Sequence, residues 1–191
     1  MKAMVFNSAG KGNGILEPVQ EIIGEELVKA GWDIDVLDLC KTDIAACLGC
    51  FRCWFKTPGV CVINDAGRDV TKAFVQSDMT VFLTPVTFGG YSSELKKAVD
   101  RLIPAISPYF MKINGETHHR PRYERYPKLA VIGELRHPDL ESEGIFKKLV
   151  ERNAINMHSP AHTSCIVLEE DWSDQVRKKV KKCLSDVGVI K

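Results

Sequence analysis

Short apolar runs alternate along this chain with longer segments that are apolar at helical spacing, and that alternation predicts βαβ units built around a parallel sheet. The first run is Ala3–Phe6, closed by the polar, glycine-rich stretch Asn7–Gly14. A helix is expected over 15–30, where Val19, Ile22, Ile23, Leu27 and Ala30 share one face and Gly31 supplies the stop. Ile34–Leu39 reads as a second strand. The pattern then dissolves into a cysteine-rich segment, 40–62, and resumes as a helix over 65–76. Met79–Thr84 is the clearest buried strand; Pro85 is expected to end it, and Ser92 or Ser93 to cap a third helix running to Ile103. The remaining periodic segments predict a strand at 129–133, a helix at 143–156, a strand at 164–168 and a helix at 173–187.

Five strands and five helices in this order predict an α/β fold, a three-layer sandwich in which a five-stranded parallel sheet of order 2-1-3-4-5 carries helices on both faces. Residues 104–127 fit neither period and are rich in proline, histidine, arginine and tyrosine, so they are expected to form an excursion from the core. No repeat or low-complexity tract divides the sequence, and a single domain over 1–191 is expected.

Charge narrows the partners. Lysine and arginine (26) nearly cancel aspartate and glutamate (25), so neither nucleic acid nor an anionic membrane surface is expected to bind, and a small molecule is the better first partner. No apolar run reaches the length of about 18 residues a spanning helix needs. The first residues carry no leader pattern, and seven cysteines, four of them between Cys47 and Cys61, suit a reducing compartment; a cytoplasmic location is expected.

In such a sheet, ligands bind in the crevice at the carboxyl ends of the first and third strands. The loop after the first strand can hold a phosphate on its backbone N–H groups, with Ser8 donating and Lys11 neutralising, and Asn13 and Gly14 alongside. The loop after the third strand, Thr84-Pro-Val-Thr-Phe-Gly-Gly-Tyr-Ser-Ser-Glu-Leu-Lys-Lys-Ala-Val-Asp-Arg101, resembles the flavin loop of the NADPH-dependent FMN reductases, which have a flavodoxin-like fold. The resemblance implies FMN as cofactor, with Pro85, Val86, Thr87, Phe88 and Gly89 at the flavin edge and Tyr91 and Ser92 close by. The phosphate loop departs from the family pattern at Ala9, Gly10 and Ile15. The loop from Gly133 to His137 follows the fourth predicted strand on the same edge, where it can line the far side of the flavin or serve as a plain connection.

Cys47, Cys50, Cys53 and Cys61 have a spacing that can wrap a cubane cluster. The run is similar to the compact motif of iron-sulfur flavoproteins in the same family, which implies these four residues as ligands of a 4Fe-4S cluster. Two readings stand beside it: relatives that keep some cysteines and bind no cluster, and a thiol redox role for Cys50 and Cys53.

The resemblance further implies an oxidoreductase in which NAD(P)H reduces FMN and a second acceptor, a small molecule or a protein, takes the electrons by ping-pong kinetics in a homodimer or homotetramer. The alternative is a non-enzymatic electron carrier holding FMN and the cluster; a third is a chain that has lost its flavin. Within the excursion, His118, His119, Arg120, Arg122, Arg125, Tyr123 and Tyr126 are expected to close over the flavin or to form a dimer arm, with Arg120 or Arg122 meeting a nicotinamide phosphate and the two histidines packed and hydrogen-bonded. Lys178, Lys179, Lys181 and Lys182 read as a solvated helix face, and Cys40, Cys165 and Cys183 as core or near-core residues.

Overall fold

The computed structural model describes residues 1–10 and 14–190. Five parallel strands form the central sheet: β1 (Lys2–Asn7), β2 (Asp33–Asp38), β3 (Met79–Thr87), β7 (Lys128–Leu135) and β8 (His162–Leu168). Their order is β2-β1-β3-β7-β8, the doubly wound 2-1-3-4-5 arrangement expected. Register is fixed by alternation in β1, where Ala3 and Val5 face one side and Met4 and Phe6 the other, all buried.

Helices α1 (Leu16–Lys29) and α6 (Ser173–Asp186) cover the first face, packing Leu16, Val19, Ile23, Val176 and Val180 on Ala3, Val5, Val81 and Ile132. On the second face α3 (Gly67–Gln76), α4 (Ser93–Asp100) and α5 (Leu140–Asn156) pack Val70, Phe74, Leu95, Phe146 and Val150 on Met4, Phe6, Phe82 and Val131. Strands buried on both faces read as continuous apolar runs, which is why β3 and β7 were so clear in the sequence.

Four features differ from expectation. Strand β3 continues past Pro85 to Thr87 and turns back into β4 (Gly90–Tyr91), pairing Val86 with Tyr91 and Thr87 with Gly90. The ring of Pro85 costs only one donor, and at the strand's far end that donor is not needed by the ladder. The third helix stops at Asp100, and residues 103–105 form a 3-10 turn. The excursion contains an antiparallel hairpin, β5 (Ile106–Ile113) and β6 (Glu116–Pro121), turned by Asn114 (φ 49°) and Gly115 (φ 84°). Both turn residues take the left-handed backbone that a two-residue hairpin loop demands. A short helix, α2 (Arg52–Phe55), interrupts the cysteine segment.

Candidate functional site

The turns that follow β1 and β3 meet. Ser8 is buried; its N–H and its hydroxyl both donate to the Leu83 carbonyl (2.9 Å each), and the Ser92 hydroxyl donates to Ser8 Oγ at 2.8 Å. Ser92 also caps α4, accepting from Leu95 N, while its own N–H donates to Thr84 Oγ1. In this arrangement the Ser8 proton, expected to reach a phosphate, is committed to the sheet. Asn7 braces the same turn by accepting from Ala9 N and donating to Gln20. Lys11 and Asn13 lie outside the described residues.

A cleft of about 580 Å³ opens along the carboxyl ends of the strands. Gly14 contributes from the first turn, Pro85 and Val86 from β3, Glu134 to Asp139 from the end of β7 and the turn beyond it, and Glu169 from the end of β8. Its volume lies within the range of cofactor pockets. The segment after Gly133 therefore lines the cleft. Glu134, half-buried there, has its carboxyl pushed above the ordinary carboxylate range by burial and, less strongly, by Glu169.

Two residues beyond Val86, which lines the cleft, the chain turns at Phe88-Gly89. Phe88 has φ 50° and a side chain 99% exposed; Gly89 has φ 74°. Left-handed backbone is costly for a bulky residue, and such strain concentrates at ligand sites. Gly89 answers two demands, since a Cβ there would also fall 2.8 Å from Ile145. Thr87 is exposed beside them. Tyr91, expected beside the flavin edge, turns inward instead: it packs edge-on to Phe82 and Phe146, its hydroxyl accepts from Asn153, and burial pushes its pKa up to about 12. A β-strand's alternation explains this, because Tyr91 follows Gly90 on the core side of β4.

The cysteines gather at the other end of α4. Cys47, Cys50, Cys53 and Cys61 line one cavity of about 310 Å³ together with Arg101 and Ile103. Cys53 is buried, and burial together with the neighbouring thiols Cys61 and Cys47 pushes its pKa up to about 11. Among the described residues, no three His, Cys, Asp or Glu side chains are grouped for a single metal ion.

Arg101, 1% exposed, is the residue whose role sequence reasoning missed. Nη1 donates to the carbonyl of Ala45 and to Asp65 Oδ2 (2.8 Å each), and Nη2 to Asp65 Oδ1 (2.6 Å). Asp65 in turn accepts from the N–H groups of Ala45 and Gly67, and the Arg101 guanidinium holds its carboxyl down to about 2. This fork pins together the two ends of the cysteine segment. Gly67 is glycine because a Cβ there would lie 2.6 Å from Arg101 Cζ.

The excursion sits elsewhere. His118 bonds Asn156, the last residue of α5, and Glu116; Arg125 pairs with Asp78, just ahead of β3. These contacts lie at the amino ends of the strands, away from the cleft, so the segment does not close over the cleft of its own chain. Arg122 donates to the carbonyls of Pro104 and Ile106 and Arg120 to that of Phe110, which corrects their expected role on a nicotinamide phosphate: the guanidinium groups brace the hairpin. His118 is packed and bonded as expected, and His119 lies between Trp54 and Phe110. Cys40 is exposed, contrary to expectation, whereas Cys183 is buried. Lys179 and Lys181 pair with Asp171 and Glu26, so that helix face is ion-paired as well as solvated. Among the described residues no helix is long and apolar enough to cross a membrane.

Comparison with known proteins agrees with this geometry. The fold matches that of an NAD(P)H:quinone oxidoreductase from Methanothermobacter marburgensis over 96% of this chain and 95% of that one, at 17% identity and a TM-score of 0.69. It matches oxidised flavodoxin 1 from Bacillus cereus over the full length of both, at 11% identity and a TM-score of 0.62. In sequence the chain is 31% identical over 78 residues to an iron-sulfur flavoprotein of Methanocaldococcus jannaschii, covering 41% of this chain and 39% of that protein. It is 30% identical over 102 residues to one of Archaeoglobus fulgidus, covering 53% and 48%. The chain thus spans less than half the length of these curated relatives. The family model for NADPH-dependent FMN reductase matches residues 1–121, more than half of the sequence, and the chain belongs to that family.

Proposed function

We propose that the chain is a single-domain, FMN-dependent oxidoreductase that takes electrons from NAD(P)H and passes them to a second acceptor at the cleft. One observation carries the reading: the turns after β1 and β3 are joined at 2.8 Å through Ser8 and Ser92, and both contribute, through Gly14 and through Pro85 and Val86, to a cleft of about 580 Å³. The residues fit the cofactor. Pro85 and Val86 form an apolar wall, and the peptide groups of Phe88 and Gly89 lie at the turn, beyond the paired residues of β3 and β4, where an isoalloxazine edge needs donors and acceptors. FMN, when bound, supplies acceptance of hydride from a nicotinamide and release of the electrons afterwards.

The protein's part is to bind and orient. Phe88 offers an uncovered ring face two residues beyond the cleft-lining Val86, the Ser8–Ser92 bond sets the spacing of the two turns, and half-buried Glu134 places in the cleft a carboxyl whose pKa burial raises. When donor and acceptor share this cleft they take turns, which gives ping-pong kinetics. Exposed Leu140, next to the cleft-lining Asp139, suits a homodimer or homotetramer whose neighbour borders the cleft. The free cysteines suit a cytoplasmic setting. Anaerobic mixing with NADPH and with NADH tests the reading: rapid bleaching of flavin absorbance is expected, and flavin that neither donor reduces would overturn it.

A second reading is favoured by the cysteine cavity: that Cys47, Cys50, Cys53 and Cys61 hold a 4Fe-4S cluster, making the chain an electron carrier as well. The four cysteines line one cavity, which is the donor set such a cluster takes. A single zinc ion, with bonds of about 2.3 Å, requires its ligands drawn closer together than a four-iron body does. Iron and sulfide assay of anaerobically purified protein decides it. Four iron atoms per chain are expected; flavin without iron would sink this second reading and leave the first intact.

A further inference from the structure

Arg101 is the one cation that lines the cysteine cavity among the described residues, and it does so from full burial. Three of its hydrogen bonds run to Asp65 and Ala45, its Nε–H is buried with no partner of good hydrogen-bond geometry, and the side chain that meets the guanidinium from the cavity is that of Cys61. A buried donor left unpaired costs on the order of 1–3 kcal/mol, so its persistence at the wall of a cavity points to an acceptor there. Of the acceptors at that cavity, the Asp100 carboxylate is paired with Lys96, which leaves the sulfurs its four cysteines would gather. Carbonyl contacts to Ala45, before Cys47, and to Ile63, after Cys61 (3.5 Å), tie the guanidinium to both ends of the cysteine segment.

We infer that Arg101, held by Asp65, is the residue that sets the reduction potential of a cluster bound by Cys47, Cys50, Cys53 and Cys61, by donating Nε–H to a cluster sulfur and placing a fixed positive charge beside it. The inference rests on the cluster reading above. One electron enters the cluster on reduction and no bond is made or broken, so the only electrostatic change is one added negative charge. A positive charge nearby stabilises the reduced form; Asp65 moderates that effect, since its carboxylate neutralises part of the guanidinium. The arrangement therefore contains its own control. Removing the arginine charge and removing the aspartate charge must move the potential in opposite directions, whereas mere loosening of the cysteine segment moves both variants the same way.

The experiment is potentiometric titration of the cluster, followed by electron paramagnetic resonance, in anaerobically reconstituted wild type, Arg101→Gln, Arg101→Lys and Asp65→Asn, with iron and sulfide counted in each. Arg101→Gln is expected to lose at least tenfold in its preference for the reduced cluster, a fall of about 59 mV for one electron. Asp65→Asn is expected to rise, and Arg101→Lys, which keeps charge and loses the fork, to lie between wild type and Gln. Should Arg101→Gln fail to hold iron, the signs in Asp65→Asn and Arg101→Lys decide. Potentials that do not move, or that all move one way, in protein carrying its iron would overturn the role of Arg101 alone. A wild type that takes up no iron would overturn the cluster reading and this inference with it.

Discussion

The cleft at the strand ends and the cysteine cavity lie at opposite ends of α4, an eight-residue helix about 12 Å long, and they are held in different ways. The cleft rests on the sheet. Its walls are the ends of β3 and β7, a two-residue hairpin turn follows β3 just beyond it, and each supporting hydrogen bond is one neutral bond among several. The cysteine cavity rests on the loops of the cysteine segment, the four residues of α2, the end of α4 and the 3-10 turn after it, and one charged fork, Arg101 on Asp65, ties them together. Redundant support makes a site tolerant of single changes. A single buried ion pair makes it brittle, because removing one partner strands the other charge.

Arg101→Ala gives the largest expected effect. It should cost about 3–5 kcal/mol in a denaturant titration. Acid probes the same fork. Asp65 has its pKa lowered to about 2, so its stabilisation is full above the unfolded value near 3.8 and is lost as pH falls towards 2. The loss should be seen as a falling denaturation midpoint over that window in wild type and should be smaller in Arg101→Ala, where Asp65 keeps only its bonds from Ala45 and Gly67 and carboxylates such as Glu116 still titrate. At the cleft, Gly89→Ala should cost about 2 kcal/mol, from left-handed backbone and the 2.8 Å approach to Ile145. Ser92→Ala removes the α4 cap and the bond to Ser8, and about 1 kcal/mol should go with it, together with a severalfold loss of FMN affinity read by fluorescence. Phe88→Ala should leave stability within about 0.5 kcal/mol, since nothing covers the ring, while weakening FMN binding. A Phe88 variant that unfolds the protein, or an Arg101 variant without effect, would reverse the contrast.

The two regions also differ in how far they could be read from sequence. Buried runs such as Met79–Thr84 announce themselves as apolar, and the strand order follows from βαβ handedness, so the sheet edge on which the cleft opens was legible, whereas the extension of β3 to Thr87 was not. The inward turn of Tyr91 was not, because it depends on β4, a two-residue strand too short to show a period. The β5–β6 hairpin carried its signal in Asn114-Gly115, the strongest short hairpin dipeptide, but prolines at 108 and 121 and the basic, aromatic flanks hid the alternation around it. The spacing of Cys47, Cys50, Cys53 and Cys61 was plain. What could not be read was Arg101: its bond to Asp65 spans 36 residues, and neither residue stands in a periodic pattern that marks it as buried.

The central claim is that the cleft joining the turns after β1 and β3 takes FMN. Titration of flavin-free protein with FMN, read by quenching of flavin fluorescence, tests it most directly. One FMN per chain, bound more weakly by Phe88→Ala than by wild type, is the predicted result; a chain that quenches no flavin at saturating FMN would contradict it.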